Sequence, residues 1–220
     1  MPRTRPFIGS DFAGLPCYGG LDLASTNDLA SFVVQGQKPD GVYRLTSRFW
    51  CPEDNLLDLE RKTRMPYRLW ADKGWLIPTP GNVIDYSFIR QEIVEIASEL
   101  DLRKIFSDAW NAQKLAIELR DHDGIPIDFL TQGFKSLSEP TKEFKRRIDA
   151  HLIEHDGNPV MRWCVGNAIA VMDAQENVKL DKKKSRSKID GAAAAVNSTA
   201  ASMAAADAPS VYESRGVRVV

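Results

Sequence analysis

The sequence predicts an α/β fold: a mixed five-stranded sheet, three strands antiparallel and two added in parallel, flanked by helices. Three observations carry this. Three strand-like runs follow one another near the N-terminus through short connections, the order of an antiparallel meander. A helix, a strand, a helix and a strand come next with short joints, the succession of parallel strands linked by right-handed crossovers. The last helix is rich in alanine, and its thin side-chain layer permits close packing on a sheet.

Residues 1–16 read as a lead-in or linker, because Pro2, Pro6, Pro16, Gly9 and Gly14 break any regular pattern. Tyr18-Gly19-Gly20-Leu21-Asp22-Leu23 is the first strand and Ala30-Ser31-Phe32-Val33-Val34-Gln35 the second. After a turn ending in Pro39-Asp40-Gly41, the third is Val42-Tyr43-Arg44-Leu45-Thr46-Ser47-Arg48-Phe49. Residues 52–73 read as mostly helical, interrupted at Pro66. Residues 84–100 form the clearest helix, since Tyr86, Ile89, Ile93, Ile96 and Leu100 step by 3, 4, 3 and 4 along one apolar stripe. Asp85 is placed to cap it.

Leu102-Arg103-Lys104-Ile105-Phe106-Ser107 is the fourth strand, ending at Asp108. A helix over 110–120 stops before Gly124, and 125–130 is the fifth strand. Ser138 is expected to cap a helix running through Leu152, with Phe144, Ile148 and Leu152 on one face. Asn158 and Pro159 open another as N-cap and N1. In the last helix, over 188–206, nine of the fifteen residues from Ala192 are alanine. One domain over 17–206 and a flexible tail over 207–220 complete the expected organisation.

Composition bounds the function. The 220 residues carry 29 Lys and Arg against 30 Asp and Glu, a net charge of −1. This excludes a uniformly basic nucleic-acid coat and leaves room for a local basic patch over an acidic site. No apolar run approaches the roughly 18 residues of a membrane span, and no signal-peptide core follows the N-terminus. Cys17, Cys51 and Cys164 are far apart and form no CxxC pair. They read as small buried apolar residues in a reducing cytoplasm.

The chemistry-bearing residues are acidic. Asp22 lies inside an apolar strand, where a carboxylate is costly unless paired or bound to a metal. Asp108 ends the fourth strand, expected beside the first, and Asp190 sits on the first turn of the Ala-rich helix. Three carboxylates from three elements at one end of a sheet make an oxygen-rich nest for hard divalent cations. Two such cations activate water and stabilise the leaving oxygen of a phosphodiester. Spacing alone leaves other acidic triples open. His151-Leu152-Ile153-Glu154-His155 matches the H-x-x-E-H pattern of inverted zinc peptidases. That chemistry needs both histidines on one face of a continuing helix, and Asp156-Gly157-Asn158-Pro159 is expected to stop the helix at His155.

An ordered series of segments resembles the nuclease domain of tailed-phage terminase large subunits. It begins at Gly20-Leu21-Asp22-Leu23-Ala24-Ser25-Thr26-Asn27-Asp28. It continues through Met65-Pro66-Tyr67-Arg68-Leu69-Trp70, the stretch over 76–86, and Asp108-Ala109-Trp110-Asn111-Ala112. It ends in the stretches over 155–163 and 182–191. The resemblance implies a ribonuclease H-like fold and metal-dependent endonucleolytic cleavage of concatemeric double-stranded DNA during packaging in a host bacterial cytoplasm. It implies two divalent cations, Mg²⁺ or Mn²⁺, held by Asp22, Asp108 and Asp190. It also implies an ATPase domain, a small terminase subunit and a portal as partners. No Walker A stretch is present, so the chain is expected to be the nuclease part alone, monomeric and without membrane contact. A catalytically silent DNA-binding or packaging-assembly module, and a resolvase or ribonuclease on the same fold, are the alternatives.

Lys179, Lys182, Lys183, Lys184, Arg186 and Lys188 crowd just ahead of Asp190. They are expected to contact DNA phosphates, offsetting the repulsion between phosphate and the acidic site. Lys182, Lys183, Lys184, Arg186 and Lys188 are the DNA-binding candidates, with Lys188 near enough to reach the scissile phosphate. Arg61, Lys62 and Arg64 form a second basic cluster. Asp28 reads as a turn cap or an outer acid of the site, His155 as helix-end packing, and Trp110 and Trp163 as core.

Overall fold

The computed structural model describes residue 7, residues 9–23 and residues 28–206. The side chains of Trp110 and Asn111, residues 1–6 and 8 of the lead-in, residues 24–27 of the resemblance and the 207–220 tail lie outside the described residues.

The three expected N-terminal strands are β1 (Pro16–Asp22), β2 (Ala30–Gln37) and β3 (Tyr43–Pro52), paired as an antiparallel meander. The fourth and fifth expected strands are β5 (Asp101–Ser107) and β6 (Ile127–Phe129), added in parallel beside β1. Two short strands were not legible: β4 (Ile77–Thr79) and β7 (Ile153–His155). Both pair in parallel with the outer edge of β3, at its opposite ends, so the sheet has seven strands among the described residues. Three-residue edge strands carry too few positions for an alternation signal. A separate hairpin pairs β8 (Ala170–Met172) with β9 (Val178–Leu180).

Helices α1 (Leu56–Thr63) and α2 (Tyr67–Asp72) divide around Pro66. In α3 (Tyr86–Glu99), the Asp85 carboxylate accepts from the backbone N–H groups of Ser87 and Phe88. It covers one face of the sheet with α4 (Ala109–Asp121), burying Ile89, Ile93, Leu115 and Leu119 against Leu21, Phe32 and Ile105. Phe7 and Phe12, inside the expected lead-in, are 1% and 2% exposed and belong to this core. The other face carries α7 (Asp190–Ala206), with α5 (Phe134–Asp149) and α6 (Pro159–Asn167) around it. Tyr67, Trp70 and Trp163 form an aromatic cluster at the edge of this second core.

The expectation for α5 is corrected at both ends. Gly133 precedes the helix, and Ser138 lies inside it, its hydroxyl accepting from Val178 N–H. The helix stops at Asp149, because His151 takes a left-handed φ of 55°. The N–H groups of His151 and Leu152 then fold back to the carbonyls of Ile148 and Arg147, a Schellman termination. The H-x-x-E-H run therefore spans a turn and β7. His155 lies on the outer edge of β3, its ring Nδ1 accepting from Gly157 N–H at 3.1 Å. The zinc-peptidase geometry is absent from it.

Candidate metal centre

Asp22 ends β1, whose Leu21 pairs in parallel with Ser107 of β5, so Asp22 and Asp108 stand at the carboxyl ends of neighbouring strands. Such strands run about 4.8 Å apart. Asp190 opens α7, which crosses the same end of the sheet, and a carboxylate is favourable at a helix N-terminus. Small residues set the depth of this crossing. A Cβ on Gly20 would stand 1.9 Å from the Ala194 carbonyl oxygen, and one on Gly191 2.8 Å from the Phe49 ring. Asn197 and Ser198 of α7 donate to the carbonyls of Leu21 and Tyr18, locking the helix to β1.

The outcome is a pair of acids withdrawn from water: Asp22 is 5% exposed and Asp190 6%. Lys182 reaches between them. Its Nζ stands 2.9 and 3.1 Å from the two Asp22 oxygens and 3.4 Å from Asp190 Oδ1. Asp190 Oδ2 is buried with no hydrogen-bond partner among the described residues. Asp108 is half-buried and lines, with Lys182, Lys183, Leu137 and Asn197, an open cleft of about 400 Å³ beside the pair.

Burial pushes the Asp22 carboxyl above its ordinary range; Lys182 opposes this and the charges of Asp108 and Asp28 add to it. Burial, then the Asp22 charge, pushes Asp190 up as well. Burial works against the Lys182 ammonium, but the charges of Asp22 and Asp190 outweigh it and raise its pKa. Four acids thus repel one another here, answered by lysines, since Lys188 pairs with Asp28, whose carboxylate also accepts from Leu29 N–H. Among the described residues, no three Asp, Glu, His or Cys side chains are near enough to hold one ion as they stand. The ammonium occupies the space between two of them. All-carboxylate donors, one buried oxygen without a partner, and a cation already drawn between the acids fit a hard divalent ion.

The basic run divides by position. Lys182 and Lys188 turn inward to acids, and Lys179 lies over the Phe134 ring at 4.8 Å. Lys183, Lys184 and Arg186 are exposed. Arg61, in the second basic cluster, is 70% exposed and pairs with Asp58. The inward turn of Lys182 has no signature in a string of lysines. Tyr67 was also missed: its hydroxyl is buried without a partner among the described residues, within the fields of Asp28 and Asp190.

The family model described as "Terminase large subunit, endonuclease domain" matches residues 5–206. The large terminase subunit of Enterobacteria phage HK97 is 35% identical over 188 residues, covering 84% of this chain and 37% of that protein. Protein YmfN of Escherichia coli K12 is 31% identical over 195 residues, covering 84% of this chain and 43% of YmfN. The chain therefore spans less than half the length of these relatives. The crystal structure of the HK97 large terminase superposes with a TM-score of 0.80 at 33% identity, over 91% of this chain and 40% of that one. The large terminase nuclease of thermophilic phage G20c, in a crystal structure with bound magnesium, has the same fold at 11% identity. Its TM-score is 0.53, over 85% of this chain and 82% of that one. The chain belongs to the endonuclease-domain family of terminase large subunits.

Proposed function

We propose that this domain is a metal-dependent DNA endonuclease that cuts concatemeric double-stranded DNA during genome packaging. Asp22, Asp108 and Asp190 would hold two divalent cations, Mg²⁺ or Mn²⁺. The observation that carries the reading is the buried Asp22 and Asp190 pair, with an Asp190 oxygen that has no partner among the described residues and a cation drawn between them. Magnesium in the G20c nuclease supports the choice of ion.

When bound, the cations supply a nucleophilic water and neutralise charge on the leaving oxygen. The chain's own residues do the rest. Gly20 lets α7 lie on β1, which fixes Asp190 opposite Asp22. The apolar surroundings keep both carboxylates unscreened, so their pull on a cation is strong. Asp108 faces the open cleft, where a phosphodiester has room to enter. Lys183 lines that cleft, and Lys184 and Arg186 are exposed in the same loop; together they attract the DNA backbone without reading bases. The full packaging function would need an ATPase domain, a small subunit and a portal, and this domain alone would be monomeric, acting in the host cytoplasm. Among the described residues no helix is long and apolar enough to cross a membrane.

The test is incubation of supercoiled plasmid with the protein in Mg²⁺, in Mn²⁺, and in each with a chelator. Nicking or linearisation that the chelator abolishes is the expected result. Binding of DNA with no cleavage in either metal would instead make this a silent packaging module.

A further inference from the structure

Lys182 differs from every other base in its run. Its Nζ is within 3.4 Å of both buried acids, yet its side chain is 56% exposed. More than half of the side chain is open to solvent, so the ammonium has a route out to water. Its aim is fixed by the loop beneath it. Asp181 accepts from the N–H groups of Lys183 and Lys184 at 2.8 and 3.1 Å, and its own N–H donates to Ile169. Ser185 donates to the Asp181 carbonyl and accepts from Ile169 N–H, while Asn167 Nδ2 holds the Lys188 carbonyl. These bonds pin the loop to the end of α6 and the β8–β9 hairpin, so the position of Lys182 is built in.

We propose that Lys182 is an internal counter-ion that competes with the divalent cation for Asp22 and Asp190 and so sets the cation affinity of the centre. One positive group cannot share that space with another. A +1 ammonium that satisfies three carboxylate oxygens holds the acids together before metal arrives, and it must be displaced when metal binds. The inference rests on the reading of this cluster as a metal centre. It assigns Lys182 to the cation threshold, leaving phosphate contact to Lys183, Lys184 and Arg186.

The test is calorimetric titration of the metal-free full chain with Mn²⁺ near pH 7.5, comparing wild type with Lys182→Met, Lys182→Gln, Lys182→Arg and Asp190→Asn. Thermal melts with and without Mn²⁺ give a second readout. Losing the competing charge should tighten Mn²⁺ binding about ten-fold in the Met or Gln variant. Lys182→Arg, which keeps the charge, should stay near wild type. The neutral variants should melt lower than wild type without metal and gain more on adding it. If one neutral variant fails to fold, the other decides. Wild type that binds Mn²⁺, loses it on Asp190→Asn and shows unchanged or weaker affinity in the neutral variants would overturn the counter-ion role alone. Absence of Mn²⁺ binding in wild type and neutral variants alike would overturn the metal centre, and the inference with it.

Discussion

Gly20 and Ala194 are in backbone contact: a Cβ added to Gly20 would lie 1.9 Å from the Ala194 carbonyl oxygen and 2.3 Å from Ser198 N. Backbone, not a flexible side chain, would have to move. The contact draws α7 onto β1 and thereby brings Asp190, four residues before Ala194, to the end of the strand that carries Asp22. Gly20→Ala should therefore lift α7 and cost about 3 kcal/mol or more, at the upper end for an overpacked core. Urea denaturation measures it. A variant as stable as wild type would show that the helix seats elsewhere.

Asp190→Asn keeps the shape of a buried side chain and removes one charge from the centre. Its loss should weaken cation binding and plasmid cleavage by more than about 100-fold, since even outer partners of metal ligands cost 10–100-fold. The fold should persist, because removing one of two repelling buried acids relieves electrostatic strain. Circular dichroism together with a cleavage assay separates the two effects. A folded variant cutting at the wild-type rate would remove Asp190 from the site.

Much of this centre was legible in the sequence, and for stated reasons. An aspartate between Leu21 and Leu23 is costly wherever a strand is buried, so Asp22 announced itself. Asp85, Asn158 and Pro159 signalled helix starts by local chemistry, and each is found in that role. Longer-range facts were hidden. β4 and β7 exist because β3 offers a free edge, which a three-residue run cannot signal. The end of α5 depends on a left-handed histidine where glycine is the usual residue. Lys182 reads like its neighbours until the loop is folded and its head meets the acids.

Arg147 joins α5 to the sheet and to α7. It is 2% exposed, donates to Gln35 Oε1 at 2.8 Å and to Ser202, pairs with Glu143, and lies over the Tyr43 ring at 3.5 Å. Hydrogen bonds from Arg146 first, and Arg147 next, hold the Glu143 carboxyl down at about 2, against 4.5 ordinarily. A depressed acid stabilises the fold above its unfolded pKa, and that stability is lost as pH falls through the folded value. Glu143→Gln should thus cost about 1–2 kcal/mol at pH 6, since solvent around the exposed Arg146 screens part of the effect, and progressively less from pH 4.5 downward, converging with wild type near pH 2. Denaturation across that range checks the sign. A cost that does not change with pH would mean the ion pair adds nothing beyond packing.

The DNA track is the last consequence of how the basic run divides. With a net charge of −1 the protein has no overall attraction for DNA, so affinity has to come from a patch. Lys182 and Lys188 are spent on acids, whereas Lys183 is exposed at the cleft that Asp108 lines and Lys184 is exposed next to it in the chain. Each phosphate contact contributes a log–log salt slope of about −0.9. Replacing Lys183 and Lys184 with Ala should flatten the slope by roughly 1–2 units and weaken binding alike on unrelated duplexes, because phosphate contacts carry no sequence information. Mn²⁺ affinity should barely change, since the carboxylates and Lys182 are untouched. Salt titrations in calcium, to suppress cutting, measure this against wild type. Superimposable titrations would make the loop a solvated surface and move the track to Arg61, Lys62 and Arg64 on and beside α1.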